Sequence, residues 1–301
     1  MPHRQAAARA PAGEAVSAWL LTFPAICAFV LMLLLPTLAA VTFAFTDYEL
    51  GNPGFHWIGL DNFAELTRDR GFLASLRNTI VYVGLVTPAS IAGGLAIALL
   101  IEAGTRGRTF FRAIFFLPVV SLVVAMASAW QYLLHPTIGP LNAALRAVGL
   151  AGPAWLSSSD TVLLSIAAIG IWENLGFNMV LFLAGLTAIP RDLYAASEVD
   201  GARLAWDRFR LVTWPLLGPT TLFVLTITMI RSLTRSFDLV AVLTQGGPNK
   251  ASEVLLHTLY QEGFTYFRLG YAAAITLVFL AIVVSMMTLQ TRYLDRRVHY
   301  G

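Results

Sequence analysis

Residues 269–291 read LGYAAAITLVFLAIVVSMMTLQT, a run of 23 residues without a formal charge between Arg268 and Arg292. A helix that crosses the hydrocarbon core of a bilayer needs about 20 apolar residues. Within lipid such a run must be helical, because a helix satisfies its backbone hydrogen bonds inside one segment. The run therefore predicts a transmembrane helix.

Five further runs of this kind precede it. Uncharged stretches of 32, 24, 33 and 20 residues follow Glu14, Arg77, Arg112 and Arg210, and a fifth stretch carries only Glu173. The sequence thus predicts an all-α polytopic membrane protein. Its six transmembrane helices lie near 17–45, 76–102, 111–134, 160–188, 213–240 and 270–292.

The composition agrees with a membrane protein. Of the 301 residues, 57% are hydrophobic and 12% are charged, with a mean hydropathy of +0.70. Soluble domains carry about 25% charged residues, and disordered chains combine low hydrophobicity with high charge. The composition therefore excludes both classes. Cys27 is the single cysteine, which excludes an intrachain disulfide and a cysteine cluster for a metal.

The distribution of Lys and Arg predicts the orientation. Twelve lie in one set of loops and tails and six in the other, and the richer set belongs in the cytoplasm. Six spans then place both termini there, with 1–13 as a short disordered tail and 14–301 as one transmembrane domain. Cleavage of the first segment as a signal peptide is the alternative, but its apolar run is about twice the 7–15 residues of a signal. The predicted external loops are 46–75, 135–159 and 241–269.

The predicted cytoplasmic loop between spans four and five differs from a simple connector. Residues 189–219 read IPRDLYAASEVDGARLAWDRFRLVTWPLLGP, with apolar residues at helical spacing on both sides of Gly201. This pattern predicts two short amphipathic helices with a bend at the glycine. Such an element can lie on lipid headgroups or dock in a groove on a cytosolic partner. Its mixed charge favours the partner.

The same stretch resembles the EAA loop of ABC-importer permeases, written E-A-A-x3-G-x9-I-x-L-P. Three differences stand out: the usual Glu is Ala195, the second Ala is Ser197, and one extra residue separates Gly201 from the Val212 to Pro215 end. One residue rotates a helix by about 100°, so the extra residue affects which face of the segment after Gly201 would contact a partner. The resemblance implies that residues of the loop 190–215 couple the chain to an ATPase. They are Tyr194, Ala195, Ala196, Asp200, Gly201, Ala202, Phe209 and Pro215.

Other stretches extend the resemblance over most of the chain. FDLVAVLTQGGP (237–248), FLAGLTAIP (182–190) and IGLDNF (58–63) are similar to stretches of the six-span permease subunits that import maltose-like sugars and glycerol 3-phosphate. The tail TRYLDRRVHY (291–300) resembles the glycerol-phosphate branch.

This family resemblance implies a heteromeric importer in a bacterial inner membrane. A second permease subunit would complete a heterodimer, two copies of a cytosolic ATPase would bind ATP and Mg²⁺, and an extracytoplasmic protein would deliver substrate. The chain itself has no Walker A pattern, since Lys250 is its only lysine and follows Asn249. We therefore expect no enzyme activity, cofactor, metal or nucleic acid on this chain.

Ionisable residues at membrane depth are costly and are candidates for function. The candidates for the substrate path are Glu173, Asn174, Asn178, Arg231, Arg235 and Asp238. Counted from Pro215, Arg231 lies about 24 Å along its helix, in the outer third of the core. Arginine suits bidentate recognition of phosphate. The alternative is structural: an Arg–carboxylate pair that holds spans four and five together, or arginines that snorkel to the outer surface.

Two rival functions stay open. A secondary, ion-coupled transporter predicts inverted repeats and a carboxylate ion site, whereas no repeat is visible and Glu173 is the only deep carboxylate. An intramembrane enzyme would need paired catalytic groups at depth, and none is evident.

Overall fold

The computed structural model describes residues 12–104, 107–202 and 204–294, which are predominantly helical. In that part of the chain the only β-structure is one antiparallel bridge between Thr46 and Trp57. The prediction of an all-α fold is confirmed at this level. The predicted tail lies outside the described residues, except that Ala12 and Gly13 begin the first helix. The last residues of the 291–300 stretch also lie outside them.

Fourteen α-helices lie in the described residues. They are α1 Ala12–Phe29, α2 Leu35–Phe43, α3 Asp61–Arg68, α4 Arg70–Ala103, α5 Arg108–Val120, α6 Val123–Leu133, α7 Pro140–Ala147, α8 Val162–Thr187, α9 Arg191–Val199, α10 Ala205–Arg208, α11 Trp214–Leu216, α12 Gly218–Leu243, α13 Leu255–Tyr260 and α14 Leu269–Leu294. Three π-helical turns lie at Val30–Leu34, Phe209–Thr213 and Gln261–Thr265.

Four helical segments are long and apolar enough to cross a membrane on their own. They are Trp19–Phe43, Arg70–Ala103, Val162–Thr187 and Leu269–Arg292, close to the predicted spans 17–45, 76–102, 160–188 and 270–292. Of these, Val162–Thr187 has the largest buried share, so α8 is the central helix of the bundle.

The other two predicted spans are bent, which the sequence analysis did not foresee. The span expected at 111–134 breaks between α5 and α6 with a bend of 101°, because Ser121 and Leu122 both adopt extended backbone. The span expected to begin at 213 starts instead at Gly218, after a bend of 68°. Pro219 explains this bend. It has no N–H to donate to the carbonyl group four residues earlier, and its ring clashes with that carbonyl group. Six spans result if each bent pair is one span.

Small residues bring α4 and α8 together. Helices in lipid associate through close packing, which favours glycine where two backbones meet. Gly94 of α4 and Gly170 of α8 lie where a Cβ would overlap Asn178 and the Tyr82 hydroxyl, respectively. Tyr82 is itself fully buried. This contact fixes the position of the polar residues that α8 carries.

The loop between α8 and α12 folds as two helical arms around Gly201. Gly201 has φ +99°, a conformation that side chains with a Cβ rarely adopt, so the predicted bend occurs at this residue. The second arm runs from α10 through the π turn Phe209–Thr213 into α11. A π turn holds one residue more than an α turn, so this turn adds one residue to the second arm between Gly201 and Pro215.

Candidate functional site

Charged side chains of α8 and α12 meet at membrane depth. Glu173 of α8 is 2% exposed, and its Oε1 lies 3.4 Å from Nε of Arg235 on α12. Nη1 of Arg235 lies 3.5 Å from Oδ2 of Asp238, three residues further along α12. Arg235 thus lies between two carboxylates. Three of the predicted path residues form one ion-pair cluster.

Arg231 is held differently. Its Nε donates a hydrogen bond of 3.2 Å to Oδ1 of Asn174, and its guanidinium carbon lies 4.2 Å from the centre of the Phe177 ring. Asn174 is fixed in turn, because its Nδ2 donates to the carbonyl oxygen of Gly170 at 2.8 Å. Nη2 of Arg231 is buried and has no hydrogen-bond partner.

Asn178 lies apart from these ion pairs. Its Nδ2 donates to Oγ of Ser90 on α4 at 3.2 Å, and its Oδ1 accepts from the hydroxyl of Thr228 on α12 at 2.7 Å. The residue is fully buried. Its amide therefore links α4, α8 and α12 in this conformation.

The sequence analysis missed four side chains of this region. They are Tyr82, Ser90, Phe177 and Thr228. One signal was available for Thr228: with Arg231, Arg235 and Asp238 it follows the three-and-four-residue spacing of a single helical face. Tyr82 and Phe177 give no such signal, because aromatic residues are common throughout these apolar runs.

Six of the eight predicted coupling residues line two grooves at the end of the bundle where α4 terminates. Ala196, Asp200, Ala202 and Pro215 line a groove of about 500 Å³ between the two arms of the loop. Tyr194 and Phe209 line another of about 640 Å³, which α4 and α8 close.

Hydrogen bonds and an ion pair hold the arms against each other. The hydroxyls of Tyr194 and Thr213 lie 3.1 Å apart, and Glu198 pairs with Arg208 at 2.5 Å. Gly201 and Ala195 are exposed at this end of the protein. The bend of the loop is therefore presented to the outside of the bundle.

A second ionic network lies at the opposite end of α4. Arg268 pairs with Glu65 and, at 3.4 Å, with Glu262, while Asp69 accepts a hydrogen bond of 2.9 Å from Tyr271. Burial raises the pKa of Glu262 against the opposing charge of Arg268. Burial acts the same way on Asp69, but hydrogen bonds from Tyr271 and from the backbone prevail and lower its pKa. These contacts join loops that are far apart in the chain.

A family model described as the binding-protein-dependent transport system inner membrane component matches residues 70–300. The chain belongs to this family. Membership confirms the predicted resemblance to ABC-importer permeases and makes the chain a multi-pass protein of the inner membrane. It is a non-enzymatic component of a transporter whose ATPase is a partner subunit, as the sequence analysis predicted.

Named relatives cover most of this permease. The sn-glycerol-3-phosphate transport system permease protein UgpA of Agrobacterium fabrum is 32% identical over 246 residues, which is 82% of this chain and 83% of that protein. The probable ABC transporter permease protein YurN of Bacillus subtilis is 32% identical over 272 residues, covering 88% and 91%.

Solved structures share the fold of this permease. A chain of a bacterial ABC transporter that imports the acidic polysaccharide alginate superposes with a TM-score of 0.84 at 23% identity, over 95% of this chain and 98% of that chain. At this identity the similarity shows the fold alone.

Proposed function

We propose that this permease forms half of the translocation path of an ATP-driven importer for a sugar or an sn-glycerol-3-phosphate-like polyol. One observation carries the proposal: α8 and α12 bring Glu173, Arg231 and Arg235 together inside an apolar bundle. Ionisable groups at such depth are expensive and mark substrate pathways. The named UgpA relatives support the glycerol-phosphate class.

The path requires a second half and a source of substrate. A second, non-identical permease subunit completes it as a heterodimer, and an extracytoplasmic binding protein delivers the substrate. The solved alginate importer in complex with a substrate-bound periplasmic protein supports this arrangement.

Coupling to ATP hydrolysis occurs through the loop 190–215 in this proposal. Two copies of a cytosolic ATPase bind ATP and Mg²⁺ and contact the bend at Gly201. The exposed bend supports this role, because a short helical element can dock in a groove on a partner. The groove of this chain that is lined by Ala196, Asp200 and Pro215 supports the role as well. Both termini and this loop lie in the cytoplasm.

A matched pair of glycine variants tests the coupling. The chain is tagged in its native membrane and purified in mild detergent, and ATPase subunits and ATP hydrolysis are measured. Gly201→Asp and Gly149→Asp each place a side chain at positive φ, +99° and +79°, where a Cβ meets no atom within 4 Å. A side chain is strained at both positions, and only Gly201 lies in the loop.

We expect Gly201→Asp to lose ATPase association or stimulated hydrolysis by about tenfold or more, which corresponds to about 1.4 kcal/mol of binding. Gly149→Asp should match the parent protein. A chain that purifies alone, with transport independent of nucleotide, would contradict the proposal and favour an ion-coupled secondary transporter.

A further inference from the structure

The two arginines of α12 differ in how their charges are balanced. Arg235 lies 3.4 Å from one carboxylate and 3.5 Å from another. Arg231, one helical turn earlier, forms no ion pair with any carboxylate of the described residues. Its contacts are a neutral amide and an aromatic ring. Arg235 is thus held in direct ion pairs, whereas Arg231 has only a longer-range attraction to Glu173 and no carboxylate within ion-pair distance in the described residues.

Arg231 also has a fixed orientation. The hydrogen bond to Asn174 holds Nε, the Phe177 ring lies against the guanidinium plane, and Asn174 is itself anchored on Gly170. A guanidinium that is held before its ligand arrives loses less entropy for each hydrogen bond that it then forms.

An unused donor and an unused acceptor lie in this same cluster. Nη2 of Arg231 is a buried donor without a partner, and Oε2 of Glu173 is a buried acceptor without one. A buried polar atom without a partner costs about 1–3 kcal/mol. An anionic acceptor on a ligand would satisfy the first atom, and a hydroxyl donor would satisfy the second.

We propose that Arg231 recognises the anionic group of a hydroxylated substrate, while Arg235 is a structural cation. The anionic group is a phosphate or a carboxylate on a small polyol, and Glu173 accepts from one of its hydroxyls. This inference rests on the proposed function and names the substrate class of the same path. It assigns opposite roles to two arginines that lie four residues apart.

The test uses the importer assembled from this chain and its co-purifying subunits in proteoliposomes. Uptake of sn-glycerol 3-phosphate, glucuronate and maltose is measured with and without ATP. The variants are Arg231→Gln, Arg231→Lys and Arg235→Gln, together with the double variant Glu173→Gln/Arg235→Gln.

We expect Arg231→Gln to raise the KM for the preferred anion about tenfold or more, as loss of a charge-assisted hydrogen bond does. Its yield and ATPase association should stay unchanged. Arg231→Lys should recover part of the loss, because lysine keeps the charge without the planar fork. Arg235→Gln should instead lower the yield by leaving Glu173 unpaired, and the double variant should restore that yield.

Preference between the phosphate and the carboxylate probe identifies the anionic group. An unchanged KM for both anions in Arg231→Gln overturns the inference, as does an equal loss of maltose uptake. ATP-dependent uptake of maltose alone by the parent protein also overturns it and leaves the proposed function intact. Uptake of an anion that depends on Arg231 but not on ATP supports the inference and overturns the proposed function.

Discussion

At the scale of single residues, Gly176 shows how closely α5 approaches α8. A Cβ added at this position overlaps the carbonyl oxygen of Phe115. Gly176→Ala must push the two helices apart, and we expect it to destabilise the protein by about 1–3 kcal/mol, as overpacking does in cores. Thermal unfolding in detergent measures the loss.

Gly84→Ala is the matched control. Gly84 is also inside a transmembrane helix, but a Cβ there meets no atom within 4 Å. Alanine favours a helix over glycine by about 0.5–1 kcal/mol, so this variant should be neutral or slightly stabilising. Equal unfolding temperatures for the two variants would argue against the close crossing.

The sequence showed which residues are unusual but not which residues contact them. Glu173, Arg231 and Arg235 were identifiable because a charge in an apolar segment is rare. The contacts of Asn178 were not identifiable. Thr228 follows the helical face of Arg231 and Arg235, and Ser90 is a small polar residue of an apolar run, but neither pattern shows which residues of another helix they contact. Their identity depends on helix rotation, which composition does not determine.

At the scale of helices, the π turn Phe209–Thr213 predicts an unusual tolerance. Deletion of Arg210, an exposed residue of this turn, should convert the turn to a regular α-helix and keep the rotation of the segment that follows. It also restores the spacing of the EAA pattern. We expect ATPase association within about twofold of the parent protein, because a π turn is a local one-residue insertion.

Deletion of Phe223 serves as the comparison for this prediction. Phe223 is exposed as well, but it lies in the regular part of α12. Its removal rotates the residues before the deletion by about 100° relative to those after it. We expect this variant to lose ATPase association or to fail to fold. If both deletions are equally harmful, the extra residue is needed for the function of the loop.

The limits of prediction at this scale have a physical cause. Apolar length identified α4, α8 and α14 because lipid requires a continuous helix of that length. The same criterion cannot detect a bend, because the residues on both sides of Ser121 are as apolar as a straight span requires. Pro215 and Pro219 lie near the start of the fifth span, but two prolines do not tell where the axis turns.

At the scale of the whole molecule, the grooves beside the loop lie at one end of α4 and the ionic network of Asp69 at the other. In the proposed orientation, which rests on the excess of arginine on the loop side, the loop end lies in the cytoplasm. The same proposal places the network outside, where a binding protein is proposed to deliver substrate. Orientation thus decides whether the loop can reach an ATPase at all.

Two single-cysteine variants test this orientation. Cys27 is first replaced by serine, since it is the only cysteine of the chain. Val199→Cys, in the loop, and Val148→Cys, beyond α7, replace valines that are 88% and 72% exposed. A maleimide that cannot cross membranes should label Val148→Cys in intact spheroplasts, and Val199→Cys only after permeabilisation. The reverse pattern would place the loop outside, away from any cytosolic ATPase, and would remove the basis for the coupling role of Gly201.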